Sequence, residues 1–223
     1  MGEVIVLLLP FIIGSAVVPL QMMMIILLLN NPRQGLGKAI ALVAGMTVVR
    51  LLQGIVFGLI FSAEAEQSGG KGTIASLLLV VLGILLLITA YKQWRSEPDA
   101  DDPPPKWLVM LDSLTILKTF GMGAGVVLIN GKLWVFTLTA IGVIEEAQLG
   151  QPSSSIAFLL YILLAQSMLL LAILVRILLP NRSKTVLEAI SVWLTRNSRP
   201  IVLVVSLVFG VLFFIQGVVG LLK

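Results

Sequence analysis

The chain has 223 residues, 58% hydrophobic and 12% charged, with a formal net charge of +4 and a mean hydropathy of +1.09. Soluble domains average about 45–50% apolar and about 25% charged residues, so this composition cannot clothe a water-facing globule of that length, and lipid is its natural solvent. Cys and His are absent, which excludes thiol redox chemistry, metal centres built on those ligands, and His or Cys as acid–base or nucleophilic groups; no cofactor and no enzymatic activity are expected, and the positive charge forms no basic stripe with interleaved aromatics, so nucleic acid is not a partner.

Six apolar runs follow one another: Val4–Leu29, Ala39–Ser62, Thr73–Trp94, Thr119–Ile144, Ile156–Leu179 and Pro200–Leu222. Each is long enough to cross about 30 Å of hydrocarbon as a helix, the conformation that satisfies every backbone polar group within one segment. The first run carries Glu3 and no small-residue cleavage site, so it reads as a membrane helix and not as a signal peptide. Turn residues separate the runs: Asn30 to Gly35, then Glu64, Glu66, Gly69 and Gly70, later Glu145, Glu146, Gly150 and Pro152, and finally Pro180 to Arg182. The longest connection, SEPDADDPPP over residues 96–105, is acidic and proline-rich and should be extended. Two stretches repeat apolar residues at helical spacing, Trp107, Met110, Leu111 and Leu114, and Val186, Leu187, Ile190, Trp193 and Leu194. Each suits either the membrane surface or packing on neighbouring helices.

Basic residues fix the expected orientation. The first, third and fifth connections, with the adjoining span ends, hold eleven of the fifteen Lys and Arg; the second and fourth and both termini hold only Lys71 and Lys223. The positive-inside rule puts the odd connections in the cytoplasm of a bacterial plasma membrane and both termini outside.

The two halves look alike. Phe11-x-x-Gly14-x-x-Val17-Val18 matches Phe120-x-x-Gly123-x-x-Val126-Val127, and the segment around Gly83 matches that around Gly210. The expected fold class is therefore an all-α membrane protein of six transmembrane helices arranged as two inverted three-helix repeats: residues 1–95, a cytoplasmic linker with an amphipathic segment at 96–118, and residues 119–223.

Candidate site residues are those that cost energy in a membrane. Pro10 and Pro19 free backbone carbonyls in the first run, Gln21 follows, and Asn130, Gly131 and Lys132 interrupt the fourth after Gly121, Gly123 and Gly125. Paired interruptions of this kind point to a transporter's binding site, although a kink at Pro19 or close helix packing at the glycines would read the same way. Arg50 and Lys132 lie deep in their runs, where a charge costs about 2.5–3.5 kcal/mol on insertion scales. No Asp or Glu lies at similar depth. The two cations are left to water, backbone carbonyls, Gln21, Gln53, Asn130, Gln166 or a bound anion, and an anionic group on a substrate would serve directly. Substrate-binding candidates are Pro19, Gln21, Arg50, Asn130, Gly131 and Lys132. Gly54-x-x-x-Gly58 allows either internal packing or a homo-oligomer.

PFIIGSAVVPLQ, LNNPRQGLGKAIALVAGM, INGKLW and the terminal SVWL…RPIVLVVSLVFGVLFFIQGVVGLL together give a resemblance to the GAP family, the glycolipid or peptidoglycolipid addressing proteins of the LysE transporter superfamily. That resemblance implies six helices from two inverted repeats, an exporter role, and membrane lipids or an amphipathic substrate as partners. It also implies equivalence of Pro19 and of Asn130, Gly131 and Lys132 to the family's first-span proline and fourth-span Asn-Pro-Lys, with Gly131 in place of the proline. The Pro-Gly-Pro of the related amino-acid exporters is missing from the first run, and so is the cysteine pair of the thiol-electron carriers. The leading reading is an exporter of an amphipathic or anionic small molecule or lipid. A non-transporting scaffold or accessory subunit of a lipid-export system, and a LysE-type amino-acid or ion exporter, are the alternatives.

Overall fold

The computed structural model describes residues 2–31, 34–68, 73–95, 114–180 and 183–222, and among these there are nine helices and no strand. In chain order they are α1 (Gly2–Ala16), α2 (Pro19–Asn30), α3 (Gly35–Ser68), α4 (Thr73–Arg95), α5 (Ile116–Ile129), α6 (Gly131–Glu146), α7 (Ser153–Ala165), α8 (Ser167–Leu178) and α9 (Ser183–Leu221). The linker at 96–113 with Trp107, Met110 and Leu111, the loop residues Pro32, Arg33, Gly69, Gly70, Asn181 and Arg182, and the side chains of Glu64 and Glu66 lie outside the described residues.

Two segments, Gly35–Ile60 within α3 and Pro200–Leu221 within α9, are each long and apolar enough to cross a membrane, and counting each bent helix pair as one span gives up to five. The bent pairs are α1–α2 at 58°, α5–α6 at 75° and α7–α8 at 59°. The third expected run falls on α4, helical throughout its 23 residues. Two differences from the sequence reading stand out. The fifth run is broken at Gln166, with no Pro or Gly to mark it. The amphipathic stretch from Val186 to Leu194 is not a separate surface helix; it continues through Pro200 into the last run as the 39-residue α9. Leu187 from that stretch is buried in the core formed with α2 and α3, which is the packing alternative.

Large apolar side chains cover the outside: Leu59 is 68% exposed, Leu117 79% and Ile129 88%. In water such a surface would be an aggregation hazard; in hydrocarbon it is the matching surface. The interior has two apolar cores. One gathers α2, α3 and α8 around Met22, Ile25, Leu42 and Met46. The other centres on Phe11 of α1, whose ring lies 4.8 Å from Phe209, 5.6 Å from Phe213 and 6.5 Å from Phe136, tying α1 to α9 and α6.

Small residues set the closest helix approaches. A Cβ on Gly45 of α3 would fall on the Phe120 carbonyl oxygen, and one on Gly123 of α5 would fall on the Leu42 carbonyl oxygen. Together with Gly37 against Ile116, this register makes α3 and α5 parallel. A Cβ on Gly83 of α4 would lie 2.6 Å from the Phe214 nitrogen, and one on Gly217 of α9 would lie 2.6 Å from the Val80 nitrogen, so α4 and α9 run antiparallel. Gly83 and Gly210, matched between the halves in sequence, meet across this interface, where a Cβ on Gly83 would lie 3.0 Å from the Gly210 oxygen. Such glycine contacts let backbones approach without side chains between them.

Candidate functional site

The costliest residue in the interior is Arg50. It sits in the middle of α3 and is 1% exposed, and among the described residues its Nε and Nη1 have no hydrogen-bond partner. The Thr47–Gln166 and Gly54–Phe158 contacts bracket Arg50 on α3 and Tyr161 on α7, and the Tyr161 hydroxyl lies 3.2 Å from Ser15 Oγ of α1. The seam between α3 and α7 is antiparallel: Gln166 Nε2 donates to Thr47 Oγ1 at 3.0 Å, and Gly54 lies under the Phe158 ring. Gln53, three residues beyond Arg50 on the same side of α3, is 4% exposed, and both of its amide atoms are unpartnered among the described residues. Burying a guanidinium without a compensating anion or full hydrogen bonding costs several kcal/mol. A fold keeps that cost only where the charge has a use.

The other candidates lie at or near the helix breaks. Pro19 opens α2 after an extended Val18, at a position where its missing N–H is not needed. Gln21, 2% exposed, follows two residues later with its Nε2 unpartnered among the described residues. Asn130 closes α5 and caps α6: its side-chain oxygen accepts from the Lys132 N–H at 3.2 Å. The Trp134 indole donates to the Leu128 carbonyl at 3.0 Å, supplying a partner where the helix break removes one. Gly131 is exposed, and Lys132 is half-buried on the first turn of α6, where the helix dipole adds to its own positive charge.

The structure thus joins Arg50, Gln53 and Gln166 in one polar seam, and it gathers Asn130, Gly131 and Lys132 at the α5–α6 break. The sequence reading did not single out Ser15, Thr47 and Tyr161 in the seam, nor Thr137, Thr139 and Ser206, which are buried with hydroxyls unpartnered among the described residues. Tyr161 had a legible signal, as one of two tyrosines in the chain and the one in the middle of its apolar run, Tyr91 lying near the end of the third.

Two clefts open on the flanks. One, of about 460 Å³, follows the α7–α8 bend and is almost wholly apolar, with Leu163, Leu170, Leu171 and Leu174 among its walls. The other, of about 370 Å³, lies between α3, α6 and α7. Its walls include Leu51, Gly54, Ile144 and Phe158, and its polar members are Glu145, Gln151, Ser154 and Ser155. Neither is lined by Arg50, Lys132 or the other predicted site residues.

Helices with an apolar exterior, two of them long and apolar enough to cross a membrane, mark a membrane protein. Comparison with curated proteins and with solved structures returned no match. The family model described as Sap, sulfolipid-1-addressing protein, matches residues 8–219. The chain belongs to that family, whose name and the apolar helices together indicate a membrane protein of lipid handling.

Proposed function

We propose that this protein is a transporter of the exporter type in the bacterial plasma membrane, moving an anionic amphiphile such as a sulfate-bearing lipid. The observation that carries the reading is Arg50: a fully buried guanidinium with two nitrogens unpartnered among the described residues and no carboxylate at its depth in the sequence. A sulfate or similar oxyanion supplies the acceptors it lacks, two of its oxygens matching the fork of the planar guanidinium. Gln53 and the Tyr161 hydroxyl provide further polar contacts, while Lys132 and the N-terminal end of α6 form a second positive position. The family's sulfolipid name fits the same chemistry.

The proposed architecture is six spans in two inverted repeats, as in the LysE superfamily. Three features support it: α1–α2 and α5–α6, the first span of each half, are both broken; Gly83 and Gly210 pack on one another; and α4 and α9 run antiparallel, as third spans of opposite halves would. Pro19, Gln21 and Asn130 to Lys132 are assigned to the substrate path at those breaks.

A second reading, a non-transporting scaffold of a lipid-export system, draws on the finding that Arg50 and Lys132 line neither open cleft. Purified protein in liposomes separates the two. The exporter carries a labelled alkyl sulfate across the bilayer unaided, and Arg50→Gln lowers the rate by about tenfold to about 150-fold, matching the loss of one charge-assisted contact worth roughly 1.5–3 kcal/mol. Excess free amino acid leaves the rate unchanged, whereas an amino-acid exporter would show competition. No flux from folded natural protein would leave the scaffold.

A further inference from the structure

The cleft between α3, α6 and α7 and the buried arginine are neighbours along α3, and the Phe158 ring forms the cleft wall on that side. Leu51 and Gly54, which line the cleft, are the next residue and the next turn after Arg50 on α3. Phe158, also in the cleft wall, stacks on Tyr161 with ring centroids 6.0 Å apart and planes at 19°. Tyr161 lies one turn from Phe158 on α7, within the stretch that faces Arg50 between the Gly54–Phe158 and Thr47–Gln166 contacts. Phe158 presses so closely on α3 that a Cβ on Gly54 would fall on its ring, with Cζ 2.7 Å away and Cδ1 2.8 Å away. Glycine at position 54 is what lets the ring lie there.

We propose that Phe158 is a gate, and that the cleft behind it receives the head of an anionic amphiphile leaving Arg50. This rests on the anion reading of Arg50 given above. The cleft's composition suits the task. Ile55, Leu59 and Leu159 on its rim are 60%, 68% and 54% exposed, so a tail can stay in lipid alongside. Gln151, Ser154 and Ser155 offer hydrogen bonds to a polar head. Glu145 places a carboxylate at the far end, with its Oε1 4.0 Å from where a Gly58 Cβ would be. With the ring on Gly54, the guanidinium is shut off from the cleft; with the ring displaced, the two form one continuous amphipathic site.

The chain contains no cysteine, so single cysteines report accessibility without background. In liposomes, Ser155→Cys at the cleft mouth should react rapidly with methanethiosulfonate reagents, whether or not Phe158 is changed. Gln53→Cys, beside Arg50, should react about tenfold more slowly or worse, and adding Phe158→Ala should recover about that factor. Gly54→Ala, which keeps the ring but pushes it off α3, should also accelerate Gln53→Cys, and serves should Phe158→Ala fail to fold. An anionic sulfonate reagent should outpace a cationic one at Gln53→Cys, and Arg50→Gln should abolish that preference. A Gln53→Cys rate unmoved by both Phe158→Ala and Gly54→Ala overturns the gate even if transport still depends on Arg50. A gate effect without any charge preference overturns the anion reading and, with it, the assignment of the cleft to an anionic head.

Discussion

At the residue scale, the molecule carries a cost that its sequence displays. Arg50 stands out in an apolar run because no residue near it in the chain can neutralise it, and the fold leaves its Nε and Nη1 unpartnered among the described residues. An unpaired buried charge is a place where stability has been given up, so replacing it with an apolar residue of similar length should stabilise the fold. Arg50→Met should raise the unfolding free energy in detergent by about 2–3 kcal/mol, the order of the insertion cost, while abolishing transport. A denaturation series reads the first and the liposome assay the second. Destabilisation by Arg50→Met would mean that the guanidinium has a structural partner and is not held for a substrate. What the sequence could not reveal at this scale is the company Arg50 keeps. Tyr161 and Ser15 are 111 and 35 residues away in the chain, and only the antiparallel register of α7 on α3 brings the phenol into the stretch that faces the guanidinium.

At the scale of elements, residues that disrupt helices were legible and residues that merely permit a break were not. Pro19 and Asn130-Gly131 mark two breaks because a missing N–H and a capping side chain act locally. The break at Gln166 has no such mark; its side chain is held by Thr47 on another helix, a tertiary cause invisible to local reading. The run of Gly121, Gly123 and Gly125 reads in sequence either as part of a helix interruption or as close packing, and the three differ: a Cβ on Gly123 meets the α3 backbone while Gly121 and Gly125 face open space. The three should therefore respond differently. Gly123→Val, and likewise Gly45→Val, forces α3 and α5 apart and should cost about 1–3 kcal/mol, the usual penalty for overpacking. Gly121→Ala and Gly125→Ala should be neutral or slightly stabilising, because alanine is the better helix former. Thermal unfolding of the four variants in one detergent checks this, and equal losses at all four would show that the glycines serve flexibility and not contact. Gly54, read as packing or dimer contact, is spent on Phe158 within the chain.

At the scale of the whole molecule, the all-helical membrane class followed from composition, because a chain so poor in charge has no other way to satisfy its backbone and its surface together. Orientation is a separate question, since helix packing is indifferent to which side of the bilayer is which. The fold fixes which connections share an end. α3 starts after Gln34 and approaches the end of α6 at Gly58, where Glu145 reaches across, so Gln34 and Gln148 lie at opposite ends of the bundle. On the positive-inside rule, the distribution of Lys and Arg leads us to propose that Gln34 faces the cytoplasm and Gln148 the outside. In intact cells a membrane-impermeant thiol reagent should label Gln148→Cys and spare Gln34→Cys, both side chains being exposed; permeabilised cells should label both. Labelling of Gln34→Cys alone in intact cells would invert the molecule and turn the cleft beside Glu145 toward the cytoplasm, making it an entrance for an anionic head and no longer its exit. Labelling of both in intact cells would mean that α3 does not cross the bilayer, and Arg50 would then lose the depth that makes its charge expensive.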